Sequence, residues 1–229
     1  RDSSTSRGLG DVYKRQEAYQ SEADLERGFI RLLKELGYEY LTIHKEKDLV
    51  DNLRLQLEAV NDYRFSDEEW GRFFSEVLAN PKSGIVEKTR LIQEDFVQVL
   101  RRDDGSSKNI TLFDKKNIHN NRLQVINQYA VSKEEGAAHD NRYDVTVLVN
   151  GLPMVHIELK RRGVPIREAF NQIDRYQRDS FWAASGLFEY VQIFVVSNGT
   201  NTKYYSNTTR FNHCLLYTSP SPRDVEESR

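Results

Sequence analysis

Apolar positions along the chain switch between two spacings, and each switch marks an element. Over 21–36, Leu25, Phe29, Leu32, Leu33 and Leu36 recur at helical spacing. Ser21 is placed to cap that helix, Glu22 and Asp24 fall in its first turn, and Gly37 stops it. Further helices are expected over about 49–60, 67–79 and 85–102, the second opened by Ser66. Together they suggest a helical lobe over about 45–102. Strand patterns follow at 110–113 and 123–131, then two β-branched runs at 143–149 and 153–160 joined by the turn signal Asn150-Gly151. Helical spacing returns over 166–182 through Ile166, Phe170, Ile173, Phe181 and Trp182. A nearly continuous apolar run at 190–196 suits a strand buried on both faces, and Asn198-Gly199 turns the chain toward a strand around 203–206. The expected fold class is α/β, a mixed sheet flanked by helices, with the added helical lobe and an acidic face opening into a cleft.

The two runs around Asn150-Gly151 carry ionisable residues, Asp144 and then Glu158 and Lys160, where the pattern otherwise reads as core. Register decides what these residues do. A two-residue loop would set Asp144 opposite Ile157 and mix His156 and Glu158 into the face of Val145, Val147 and Val149. An odd-numbered loop, with Gly151 left-handed, sets Asp144 opposite Glu158 and places Thr146, His156 and Lys160 on their face. Val145, Val147, Val149, Val155, Ile157 and Leu159 then form an apolar face. The second pairing is the expected one.

Opposed carboxylates on neighbouring strands repel unless something lies between them. A hard divalent cation such as Mg²⁺ answers this with oxygen ligation, one or two carboxylates and several waters. Asp144 and Glu158 are therefore candidate metal ligands, and Lys160 is a candidate for orienting a nucleophile or stabilising a transition state. These parts suit phosphodiester hydrolysis. Gln172 and Tyr176, four apart on the expected helix, must face the same way and can act together.

Asp144, Glu158-x-Lys160 and Gln172-x-x-x-Tyr176 together resemble the signature of the PD-(D/E)xK nucleases, although Tyr143 stands where that signature has Pro. More closely, the stretch from Arg142 to Thr209 resembles the N-terminal nuclease domain of the restriction (R) subunit of type I restriction-modification enzymes. The likeness runs from about 21 to 212. It implies a restriction-endonuclease-like fold and the activity of a type I site-specific deoxyribonuclease. By the same resemblance, Asp144 and Glu158 bind Mg²⁺, with Mn²⁺ able to substitute; Lys160 is catalytic, and Gln172 and Tyr176 support the site and DNA contact. Members of the superfamily often add an acidic residue from the first helix, which makes Glu26 a candidate third carboxylate beside a plain exposed helix-face role.

At 229 residues and a net charge of −2, the chain is long enough for one substantial core and too neutral to wrap nucleic acid by bulk charge alone. Lys160, Arg161, Arg162 and Arg167 form a local basic run that could meet phosphates. No apolar stretch approaches bilayer length, and the single cysteine, Cys214, fits a reducing cytoplasm. Residues 1–16 and 214–229 read as tails foreign to the fold, leaving a nuclease domain over 17–213. The glycines offer no phosphate loop followed by Lys, so any ATP-driven motor lies outside this chain. The resemblance implies double-stranded DNA and the modification (methyltransferase) and specificity subunits as partners. Two alternatives remain: another PD-(D/E)xK nuclease of repair or junction processing, and a catalytically silent DNA-binding or docking module.

Overall fold

The computed structural model of the chain describes residues 21–207 and the short strand Tyr217–Thr218. Apart from that strand, the expected tails at 1–16 and 214–229, with Cys214, lie outside the described residues. Helix α1 (Glu22–Glu35) begins where a serine and an acid three residues on can satisfy each other. Ser21 Oγ accepts from Asp24 N at 3.1 Å and Asp24 Oδ2 accepts from Ser21 N at 3.2 Å. Gly37, at φ +92°, ends it. The face that α1 buries is Glu26, Phe29, Ile30 and Leu33, at i, i+3, i+4 and i+7. Leu32 and Leu36, expected in that stripe, are 54% and 75% exposed because they lie on the far side of this arc.

Among the described residues, a mixed sheet of seven strands forms the centre. Its strands are β1 (Glu39–Tyr40), β4 (Leu123–Val131), β5 (Asn141–Val149), β6 (Leu152–Leu159), β7 (Ile193–Ser197), β8 (Thr202–Ser206) and β9 (Tyr217–Thr218), lying side by side in that order. The β1/β4 and β6/β7 pairs are parallel and the rest antiparallel. The parallel β6/β7 step needs a crossover, which helix α5 (Ile166–Asp179) supplies.

Two apolar layers close the sheet. Phe29, Ile30 and Leu33 of α1 cover Val125, Val145, Val147, Ile157 and Leu159 on one side. On the other, Ala169, Ile173 and Tyr176 of α5 join Leu49, Leu53 and Leu57 of α2 (Glu46–Asn61) and the aromatic residues Tyr129, Tyr143, Phe181, Phe188 and Phe194. The residues expected to form a lobe at 45–102 thus bury their apolar side in this main core. Helix α3 (Asp67–Phe73) runs into a π-helical turn over Phe74–Leu78, so the expected 67–79 helix is present with its last turn widened.

Two expectations fail in detail. The helix expected over 85–102 stops at Gln93 as α4 (Ile85–Gln93), and Val97–Arg101 is strand β2, paired with β3 (Ser107–Thr111). The cause is a period of two: Leu100 is 2% exposed and Val99 61%, and Gly105 at φ +82° turns the hairpin. Within 190–196, Tyr190 closes a 3-10 turn and its hydroxyl donates to Leu78 O at 2.8 Å, so β7 starts only at Ile193. That strand alternates between burial and exposure instead of being covered throughout. No helix among the described residues is long and apolar enough to cross a membrane.

Candidate active site

The β5–β6 hairpin sets the site through its turn. Asn150 (φ +51°) and Gly151 (φ +85°) are both left-handed, which makes a two-residue loop with Val149 paired to Leu152. Asn150 is locked in place: its Nδ2 donates to Leu112 O at 2.9 Å, and its Oδ1 accepts from Arg122 N at 2.8 Å. Gly151 has no room for a side chain, since a Cβ there would stand 2.6 Å from Leu53 Cα. The expected odd-numbered loop is therefore not used.

The register it was meant to produce appears by another route. Leu148 pairs with Pro153 and Val147 with Val155, leaving Met154 as the extra residue of a β-bulge. Past the bulge Thr146 faces His156 and Val145 faces Ile157, where the ladder ends, and Asp144 lies just beyond it, within electrostatic reach of Glu158. Alternation slips once more at Asp144 itself. Tyr143 packs with His156, Tyr176 and Phe181, whereas Val145 belongs to the layer under α1. Across from Asp144, Gln128 has φ +54° and makes no ladder pair between Asn127↔Val145 and Tyr129↔Tyr143.

Asp144 Oδ2 accepts from Leu159 N at 2.9 Å, and Lys160 Nζ donates to Glu158 Oε1 at 3.0 Å and to Leu159 O at 3.2 Å. The expected open acidic face is instead recessed: Glu158 is 0% exposed, Asp144 is partly buried, and cavities of about 860 and 520 Å³ lie elsewhere, around Asn120 and Arg122. Burial has an electrostatic consequence. Loss of solvent, followed by the charge of Glu158, pushes the Asp144 carboxyl up to about 7 against the pull of Leu159 N–H and Lys160. Loss of solvent likewise pushes Glu158 up to about 7, with Lys160 opposing. His156, fully buried, is pushed down to about 4 by desolvation and stays neutral.

These residues fit a divalent cation. Glu158 Oε2 is buried without a hydrogen-bond partner, and two desolvated carboxylates oppose each other across the strands. A cation between them would relieve both conditions. Among the described residues, no group of three or more His, Cys, Asp or Glu side chains is arranged to hold a metal, so a cation here would draw its side-chain donors from the two acids alone.

Glu26 does not join that pair. It is 8% exposed, neither solvated nor free: Oε1 accepts from Asn127 Nδ2 and Oε2 from Gln128 Nε2, which ties α1 to the irregular step of β4 beside Asp144. Gln172 and Tyr176 do share one side of α5, but they address each other and the sheet. Gln172 Nε2 donates to the Tyr176 hydroxyl, which donates to Arg142 O at 2.9 Å, two residues before Asp144. Tyr176 is buried, and burial together with the Glu158 charge holds its phenol well above the ordinary range. Arg161 and Arg162 are exposed on the connection from β6 into α5, and Arg167 is exposed in the first turn of α5.

Sequence patterning missed Gln128, although two successive amides, Asn127-Gln128, interrupting the apolar run of β4 are the available signal. It also gave no role to Asn150 beyond the turn.

A profile of the family described as the type I restriction enzyme R protein N terminus matches residues 19–213. The chain is 51% identical over 199 residues to the type I restriction enzyme EcoprrI endonuclease subunit of Escherichia coli, covering 86% of this chain and 62% of that protein. It is 42% identical over 195 residues to the SauMSSORF170P endonuclease subunit of Staphylococcus aureus strain MSSA476, covering 83% and 20%. A putative type I restriction enzyme MjaIXP endonuclease subunit of Methanocaldococcus jannaschii is 26% identical over 229 residues, covering 95% and 19%.

Proposed function

The chain belongs to the family of type I restriction enzyme R protein N termini, and on that premise we propose that it is the Mg²⁺-dependent nuclease domain that cuts double-stranded DNA for such an enzyme. The observation that carries this reading is the desolvated acid pair, Asp144 partly and Glu158 fully buried, beside the Lys160 ammonium.

Asp144 and Glu158 would hold Mg²⁺, or Mn²⁺ in its place, which when bound lowers the pKa of a coordinated water and screens charge on the phosphate. Lys160 has three N–H donors, of which Glu158 Oε1 and Leu159 O take two. The third is left to orient the attacking water or to meet a phosphate oxygen as charge develops there. Through Arg142 O, Tyr176 and Gln172 keep the strand carrying Asp144 in position. Arg161, Arg162 and Arg167 would meet neighbouring phosphates without reading sequence.

The chain spans 62% of its Escherichia coli relative and 20% of its Staphylococcus aureus relative. Choice of DNA sequence is assigned to specificity and modification subunits, ATP-driven movement to segments beyond this one, and the setting to the cytoplasm. The test is plasmid cleavage by the assembled restriction complex carrying Glu158→Gln or Lys160→Ala in this segment. Loss of double-strand cleavage on the order of a hundredfold or more, with DNA binding retained, is the expected result. Undiminished cleavage by both variants would instead make this segment a silent docking module.

A further inference from the structure

His156 and Glu158 sit two residues apart on one face of β6, both 0% exposed. His156 Nε2 and Glu158 Oε2 are each buried without a hydrogen-bond partner, and they lie 3.6 Å from one another. Two orphaned atoms left that close are a donor and an acceptor that a shift of a few tenths of an ångström would join. The other ring nitrogen is engaged: Nδ1 lies 3.4 Å from Thr146 Oγ1, directly across the strand pair. The ring has little freedom to turn away, since Tyr143, Tyr176 and Phe181 enclose it edge-on at centroid distances of 5.5, 5.9 and 5.7 Å.

An uncharged imidazole carries its proton on one nitrogen only. An ionised Glu158 can accept but cannot donate, so the arrangement is satisfied only with the proton on Nε2 and Thr146 donating to Nδ1. We propose that His156 is a positioning residue for Glu158: Thr146 holds its Nδ1, and the ring presents an Nε2–H that fixes the direction of the Glu158 carboxylate. Lys160 takes Oε1 and His156 takes Oε2, which leaves the remaining lone pairs of both oxygens for a cation. The consequence for metal affinity rests on the proposed two-carboxylate cation site; the tautomer does not.

Two measurements test this separately. Side-chain ¹⁵N spectra of the metal-free chain at about pH 9, well above the value of about 7 for either acid, report the tautomer directly. The His156 signal is assigned among the five histidines by its loss in His156→Gln. A protonated Nε2 with bare Nδ1 is expected; the opposite tautomer overturns the proposal. Titration with Mn²⁺ then compares wild type, His156→Phe and His156→Gln. The Phe variant, which keeps the ring's bulk and no donor, should bind on the order of 10-fold to 100-fold more weakly. The Gln variant, which restores an N–H near Nε2, should recover to within about threefold of wild type. Equal affinity in the Phe variant refutes the positioning role. Absence of Mn²⁺ binding by wild type refutes the metal site, and the tautomer still decides the hydrogen bond.

Discussion

Asp144 and Glu158 are the most strongly raised carboxyls among the described residues for one reason: each has lost water without gaining a full complement of donors. Their carboxyls stand at about 7, against ordinary values of 3.8 and 4.5. A carboxyl raised on folding contributes stability that is complete below its ordinary pKa and disappears as pH climbs through the folded value, so the window runs from about 4 to 7. His156 works in the opposite sense, its contribution complete above 6.5 and lost as pH falls toward 4. Asp144→Asn keeps the acceptor for Leu159 N and removes one of the two opposed charges. In urea unfolding without metal at about pH 8 it should be more stable than wild type by about 1 kcal/mol, the gap closing toward pH 5. A wild type more stable than the variant at the higher pH would mean the two acids do not oppose each other. Residue identities at this site were legible because charged side chains broke an apolar run. Their burial was not, because no local pattern tells which face of a hairpin another helix will cover.

Hairpin β5–β6 comes close to the expected register by a different path. Apolar alternation demanded Asp144 opposite Glu158; a two-residue turn corrected by the bulge at Met154 carries the ladder as far as Val145 and Ile157, and Asp144 meets Leu159 N just beyond it. Bulges leave little trace in sequence, since the extra residue is read only against its partner strand. Gly151 carries both a left-handed φ of +85° and the close approach to Leu53. Gly151→Ala is therefore expected to lower stability by about 2–4 kcal/mol in urea unfolding; a loss under about 0.5 kcal/mol would show that the turn adapts freely. On α5, Tyr176→Phe leaves Arg142 O and Gln172 Nε2 without their shared partner. A cost of about 1–2 kcal/mol is expected. Helix α1 and strand β4 were legible nearly to their ends from capping residues and β-branched content. The stretch 85–102 was misread because alternation over five residues is too short to outvote a preceding helical spacing.

At the scale of the molecule, two helical layers bury the sheet on both sides, so the acid pair lies in a recess at the meeting of β5, β6 and α5 instead of an open groove. Near-neutral net charge fits this design, with Arg161, Arg162 and Arg167 exposed in the stretch of chain that follows Lys160. Fold class followed from the order of elements; the sharing of one core between the 45–102 segment and the sheet did not, because partner choice among apolar faces is a long-range property. Cation affinity should rise as pH moves from about 6 to 8, since protons and metal compete for the same oxygens. The most direct test is calorimetric titration of the chain with Mn²⁺ at about pH 8, set beside Asp144→Ala. Saturable binding by wild type with release of protons, abolished in the variant, is the predicted result. Identical heats from both proteins, or none from either, would contradict a metal held between Asp144 and Glu158.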